Sequence, residues 1–187
     1  TGSTGIGKHI MKRGADTVKK VFLELGGKSA HIILDDADID FAAFMCISVC
    51  FNAGQGCALA TRLLAPRAHY EKIVEVAKNT FDSVKLGDPL SREQFMGPLV
   101  NKKQQQRVLQ YIEKGKAEGA RLVCGGVVPA GLELGCYVAP TIFSDVRNDM
   151  AIAQEEIFGP VLCIIPYDTE EDAIRIANDS IYGLSGA

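Results

Sequence analysis

Short runs that are apolar at nearly every position alternate along this sequence with longer stretches whose apolar residues recur at helical spacing, and that alternation leaves few folds open. A continuously apolar strand such as the one read over 161–167 needs cover on both faces, which a sheet with one wet face does not give. The pattern therefore predicts an α/β chain: a mostly parallel, open sheet with helices on both faces and right-handed crossovers. A helix is predicted over 5–13, capped by Ser3 or Thr4, then an extended run over 18–25 that Gly26 and Gly27 break. A strand over 31–34 leads into a helix over 39–51, marked at its start by Asp36, Asp38 and Asp40 and apolar on nearly every side, so expected to lie centrally. Beyond it come a strand over 58–65 stopped by Pro66, an amphipathic helix over 70–84, and a polar helix over 102–119 with an apolar stripe through Val108, Tyr111 and Ile112. Its closing glycine suits a left-handed cap. Strands over 122–124, 137–143 and 161–167 and a helix over 170–178 complete the reading.

Composition excludes several function classes. At 187 residues and 47% apolar content the chain can bury one substantial core. Its formal charge of −3 offers no overall attraction to nucleic acid or anionic lipid, and no apolar run approaches the roughly 18 residues of a membrane helix. Small molecules are the expected partners and the cytoplasm the expected location. The six cysteines contain no CxxC pair, so no metal is expected and most thiols should be reduced and buried. Cys46 and Cys50, four apart, read as small core residues. The opening TGSTGIG has no initiator methionine and the final IYGLSGA shows no closing element, so both ends read as cuts through a longer chain.

Four segments join glycine to a reactive or polar group. In Leu23-Glu24-Leu25-Gly26-Gly27-Lys28 a carboxylate sits in apolar surroundings before a flexible turn, an arrangement that can prepare a general base by desolvation, or that simply ends a strand in water. In Asn52-Ala53-Gly54-Gln55-Gly56-Cys57 the glycines let backbone approach a ligand and aim an N–H at an oxyanion beside a candidate nucleophile; a buried structural cysteine is the alternative. Glu155-Glu156-Ile157-Phe158-Gly159-Pro160 could grip a ribose, or be a solvated acidic pair beside a core Phe. Thr1 to Gly7 could cradle phosphate at a helix N-terminus, although its GxxGxG order is not the dinucleotide fingerprint and an ordinary cap looks the same.

Taken together, and in this order, the four segments resemble the aldehyde dehydrogenase family, with its TGS-containing cofactor loop, ELGGK, GQxC and EEIFGP motifs. Gly-Asp-Pro at 87–89, Met-Gly-Pro at 96–98 and Tyr-Val-Ala-Pro-Thr at 137–141 are similar to that family too, so the likeness runs through the whole chain while covering less than half of a full-length member. The resemblance implies Cys57 as nucleophile, Glu24 as general base, Ser3 near the dinucleotide pyrophosphate, Gly26 as closely packed backbone after the base, and Glu156 with Phe158 beside the nicotinamide ribose. It implies oxidation of an aldehyde to a carboxylic acid with NAD or NADP, through a thiohemiacetal and a thioester. It also implies residues 1–26 as the tail of a dinucleotide-binding domain, 27–187 as most of a catalytic domain, and a homodimer or homotetramer for the full-length protein. The family's asparagine oxyanion donor and its adenine-ribose residues would precede Thr1, so this chain alone is expected to have little activity, and nothing in it selects NAD over NADP.

Three other readings compete. A coenzyme A-dependent acylating relative would share Cys57, although the retained Glu24 favours hydrolysis. A cysteine hydrolase would need one of His9, His31 or His69, none of which stands in a recognisable motif. A non-catalytic binding module would need no activated thiol at all.

Overall fold

A computed structural model describes residues 1–187. Five strands form one sheet in the order β1-β2-β5-β4-β3: β1 (Ala30–Ile32), β2 (Arg62–Pro66), β3 (Arg121–Cys124), β4 (Thr141–Ser144) and β5 (Val161–Tyr167). The β1–β2, β2–β5 and β4–β5 pairs are parallel and β3–β4 is antiparallel, as a mostly parallel sheet requires. Arg62 stands opposite Ala30 on one side and Cys163 on the other, and Val161 lies opposite Thr141. β5 is the central strand, and Val161 to Ile165 are all buried.

The helices are α1 (Thr4–Ala15), α2 (Ile39–Phe44), α3 (Tyr70–Asp82), α4 (Lys102–Ala117), α5 (Ala151–Gln154) and α6 (Glu170–Asn178). The β1-to-β2 and β4-to-β5 connections run in opposite directions along the sheet, so right-handed crossovers place their helices on opposite faces. α2 packs with α3 on one side; α4 packs with α5 on the other. α4 ends as its closing glycine predicts: Gly119 has φ +91°, its N–H donates to the Lys116 carbonyl, and the Ala120 N–H donates to that of Gly115. The C-terminal residues add beside β1, with Ile32 N–H donating to the Ala187 carbonyl at 2.8 Å.

Three sequence expectations differ from the structure. The run over 18–25 is not a strand; it has no strand neighbour and lies back along α1, with Leu25 against Gly7 and Val21 against Gly14. A Cβ at Gly7 would stand 2.6 Å from Leu25 Cδ1, so glycine is what allows this approach. The helix expected over 39–51 is broken into α2 and a 3₁₀ segment, Met45–Gly54, whose residues Phe51 to Ala53 leave helical geometry. Nor is it central: Ala43, Cys46, Val49 and Cys50 are buried, while Phe41, Phe44, Met45 and Phe51 are exposed. The fully buried residues are small, with Ile39 and Ile47 packed partly against the core, and a pattern of hydrophobicity alone does not distinguish the two faces. Strands predicted from residues 58 and 137 begin later, at Arg62 and Thr141. No helix is long and apolar enough to cross a membrane.

Candidate active site

Three of the four glycine-containing segments precede strands. Glu24 to Gly27 lead toward β1, Gln55 to Cys57 toward β2, and Glu156 to Gly159 into β5. Since β1, β2 and β5 are adjacent and parallel, their amino ends lie side by side, and segments more than a hundred residues apart converge there. The amino-terminal residues join them through Gly2, whose N–H donates to the Glu24 carbonyl at 3.1 Å.

The convergence encloses a cleft of 570 Å³ lined by Thr1 to Ser3, Glu24 to Gly26, Gln55 to Cys57, Gln104, Arg107, Glu156 and Phe158. All six residues singled out from the sequence, Ser3, Glu24, Gly26, Cys57, Glu156 and Phe158, are among them. Close backbone approaches weld the motifs. A Cβ at Gly27 would lie 2.6 Å from the Cys57 carbonyl oxygen, and one at Gly26 would lie 2.0 Å from Glu156 Oε2. Ser3 caps α1, its Oγ accepting from Ile6 N–H at 3.5 Å.

Cys57 is the only exposed cysteine, and its N–H makes no hydrogen bond within the chain. Cys46, Cys50 and Cys163 are buried, whereas Cys124 and Cys136 are partly covered. Burial pushes the Cys46 thiol up to about 12 and that of Cys124 up to about 11, so these groups stay protonated near neutrality. No cluster of His, Cys, Asp or Glu could hold a metal ion. Glu24 is exposed, which removes the desolvated setting its apolar neighbours suggest: Leu25 turns onto Gly7 and leaves the carboxylate in solvent. Glu156 is half-buried; desolvation raises its pKa against the opposing pull of the Gly27 N–H, Arg107 and Lys28. The Gly27 N–H donates to Glu156 Oε1 at 3.4 Å. None of His9, His31 and His69 lines the cleft, so a cysteine hydrolase would have no histidine partner there.

Three further lining residues act on the main chain of other segments: Gln55, inside the GQxC motif, and Gln104 and Arg107, which no motif contains. Gln55 Oε1 accepts from Val100 N–H at 2.9 Å and its Nε2 donates to the Asn52 carbonyl at 2.8 Å, tying down the turn before Cys57. Gln104 and Arg107 of α4 donate to main-chain carbonyls of residues 156–158. Nothing in their own segment announces this, because the carbonyls they meet lie about fifty residues away.

Comparison with known proteins accounts for the arrangement. The profile of the aldehyde dehydrogenase family matches residues 1–187. A 3-succinoylsemialdehyde-pyridine dehydrogenase of a Pseudomonas species is 48% identical over 188 aligned positions, which cover 100% of this chain and 39% of that protein. A Mycobacterium tuberculosis aldehyde dehydrogenase crystallised with NAD+ superposes at TM-score 0.95 with 55% identity, over 99% of this chain and 38% of that one. Aldehyde dehydrogenase C of Pseudomonas syringae, a C291A mutant crystallised with NAD+ and octanal, superposes at 0.97 with 43% identity, over 99% and 39%. This chain thus spans about two fifths of the length of the proteins it matches. With a family profile matched from its first residue to its last, the chain belongs to the aldehyde dehydrogenase family.

Proposed function

We propose that this chain carries the thiol and the carboxylate of an NAD(P)-dependent aldehyde dehydrogenase, which oxidises an aldehyde to its carboxylic acid. The observation that carries the reading is the single cleft onto which Cys57, Glu24, Glu156 and Phe158 all open. The NAD+ in both relatives' structures, and the octanal in one, support a dinucleotide and an aldehyde as its occupants.

The residues present fit the nicotinamide half of such a cofactor. Ser3 and the first turn of α1 offer N–H groups to a pyrophosphate, and Glu156 offers carboxylate oxygens to ribose hydroxyls. Gly26 lets the Glu156 carboxylate lie directly against the main chain, where a Cβ would stand 2.0 Å from Oε2. When bound, the dinucleotide accepts a hydride.

The remaining steps belong to this chain. Cys57, as thiolate, attacks the carbonyl carbon; a C–S bond forms and the carbonyl oxygen becomes an oxyanion. The unpartnered Cys57 N–H is available to that oxyanion. Loss of hydride leaves a thioester on Cys57. Glu24 takes a proton from water, the resulting hydroxide adds to the thioester, and the acid departs as the thiolate is restored. Residues 1–26 serve as the end of a dinucleotide-binding domain and 27–187 as the catalytic part, a division supported by α1, which buries only Gly7 and Gly14 and packs on the 21–25 segment.

Cofactor-linked turnover is expected to be slight in a chain of this span; steady NAD(P)H formation abolished by Cys57→Ala would overturn that. The thiol chemistry can be read without cofactor. With 4-nitrophenyl acetate, mass spectrometry should find the acetyl group on Cys57, and Glu24→Gln should slow its release about 100-fold or more, the scale of a lost general base. Acetylation spread over the other thiols, or release indifferent to Glu24→Gln, would sink the reading.

A further inference from the structure

One face of α4 holds the turn that carries Glu156 and Phe158. Gln104, Arg107 and Tyr111 follow one another at spacings of three and four, so they share a side of the helix. Tyr111 OH donates to the Glu155 carboxylate, Arg107 Nη2 to the Glu156 carbonyl at 2.9 Å, and Gln104 Nε2 to the carbonyls of Ile157 at 3.0 Å and Phe158 at 2.8 Å.

Gln104 occupies a telling place. It stands three residues after Asn101, the N-cap of α4, where a glutamine commonly turns back to the cap's own N–H. The Asn101 side chain does accept from the Gln104 N–H at 2.9 Å, yet the Gln104 amide reaches away to the turn. Phe158, which that amide holds, has φ +61°, a left-handed conformation that a bulky residue keeps only where its surroundings impose it. Two successive carbonyls converging on one amide nitrogen supply that constraint.

We propose that Gln104 is a positioning residue: by holding the Ile157 and Phe158 carbonyls it keeps Phe158 left-handed and so sets the wall against which the nicotinamide end of a nucleotide rests. The inference depends on the reading of this cleft as a nucleotide site, and Gln104 acts through Phe158 rather than by touching the ligand.

The test uses the whole 187-residue chain with oxidised nicotinamide mononucleotide as probe, titrated by NMR. Gln104→Met keeps the side-chain length and removes the donor; it should weaken binding about tenfold at an unchanged melting temperature. In a Phe158→Gly background, where there is neither ring nor strained conformer to hold, the same substitution should change binding less than twofold. Without ligand, the Phe158 backbone coupling and Overhauser pattern should leave the left-handed range in Gln104→Met and in a second variant, Gln104→Glu. A tenfold loss that persists in the Phe158→Gly background would mean direct contact and would overturn the proposal. So would a Phe158 conformation unchanged in both variants. If the unsubstituted chain does not bind the mononucleotide, the reading of the cleft fails, and the Phe158 conformation alone decides the role of Gln104.

Discussion

Lys28 and Arg62 are the two most deeply buried cations, 2% and 1% exposed, and they are satisfied very differently. The Lys28 ammonium nitrogen has no hydrogen-bond partner, and desolvation, only partly offset by Cys163 and Glu156, holds its pKa below the ordinary 10.5. Between the depressed folded value and that of the unfolded chain, the unfolded chain binds a proton the native one sheds. Stability therefore rises with pH across that window, and the full cost of burying the amine is present below it. Lys28→Met removes the cost: unfolding free energy at neutral pH should rise by about 1–3 kcal/mol, and the increase toward alkaline pH should flatten. Urea midpoints at pH 7 and pH 10 measure both, and an unchanged or lowered midpoint at pH 7 would show that the amine is stabilised where it lies. Four residues earlier Glu24 reaches solvent, so two ionisable groups of one motif meet opposite environments within one irregular segment.

The element that aims the proposed nucleophile is the 3₁₀ segment and the turn it ends in. Asn52, Ala53 and Gly54 are consecutively left-handed, at φ 50°, 54° and 74°, which reverses the chain within three residues and brings Gln55 to Cys57 to the cleft. Gly54 carries two requirements, since a Cβ there would stand 2.0 Å from the carbonyl carbon and oxygen of Gly159. Main chain cannot yield as a flexible side chain would. Gly54→Ala should cost about 1–3 kcal/mol for the conformation alone, and more for the clash. By pushing the Cys57 turn away from the start of β5 it should also change the rate at which iodoacetamide alkylates Cys57. A chemical melt and a labelling time course that both match the unsubstituted chain would refute this account of the turn. α4 shows how an element can hide a role: its apolar stripe was readable from periodicity, whereas Gln104 and Arg107 look like ordinary polar surface residues until the 155–158 turn lies against them.

For the molecule as a whole, Arg62 joins parts that the sheet alone does not. Its guanidinium donates to the Lys28 carbonyl at 2.9 Å, to the Ile176 and Ala177 carbonyls at 2.9 and 2.8 Å in the last turn of α6, and to Asn148 Oδ1 at 3.1 Å. A cation at a helix C-terminus also meets the negative end of its dipole. Arg62→Met should lower stability by about 3 kcal/mol or more, because it strands several buried acceptors, and should raise hydrogen exchange in α6 and the 178–187 segment. Exchange there at the unsubstituted rate would mean that α6 is held by apolar packing alone. The strand alternation, the Gly119 cap and a helix cap at Ser3 or Thr4 were legible in neighbouring residues, through helical period, apolar runs and the backbone demands of glycine, whereas the six cleft residues were named together only through an order of motifs that resembles a family. Less legible was where the site would open. Ligands in open α/β sheets commonly bind outside the carboxyl ends of strands, whereas here Glu24, Cys57 and Glu156 gather at the amino ends of β1, β2 and β5. Sequence by itself determined the alternation of strands with helices and set a thiol and carboxylates beside glycines. Tertiary structure alone decided that Glu24 is exposed while Lys28 is sealed, that Phe41 and Phe44 face outward, and that Gln104 reaches Phe158, because burial and long-range hydrogen bonds depend on residues brought near only when the strands have taken their order.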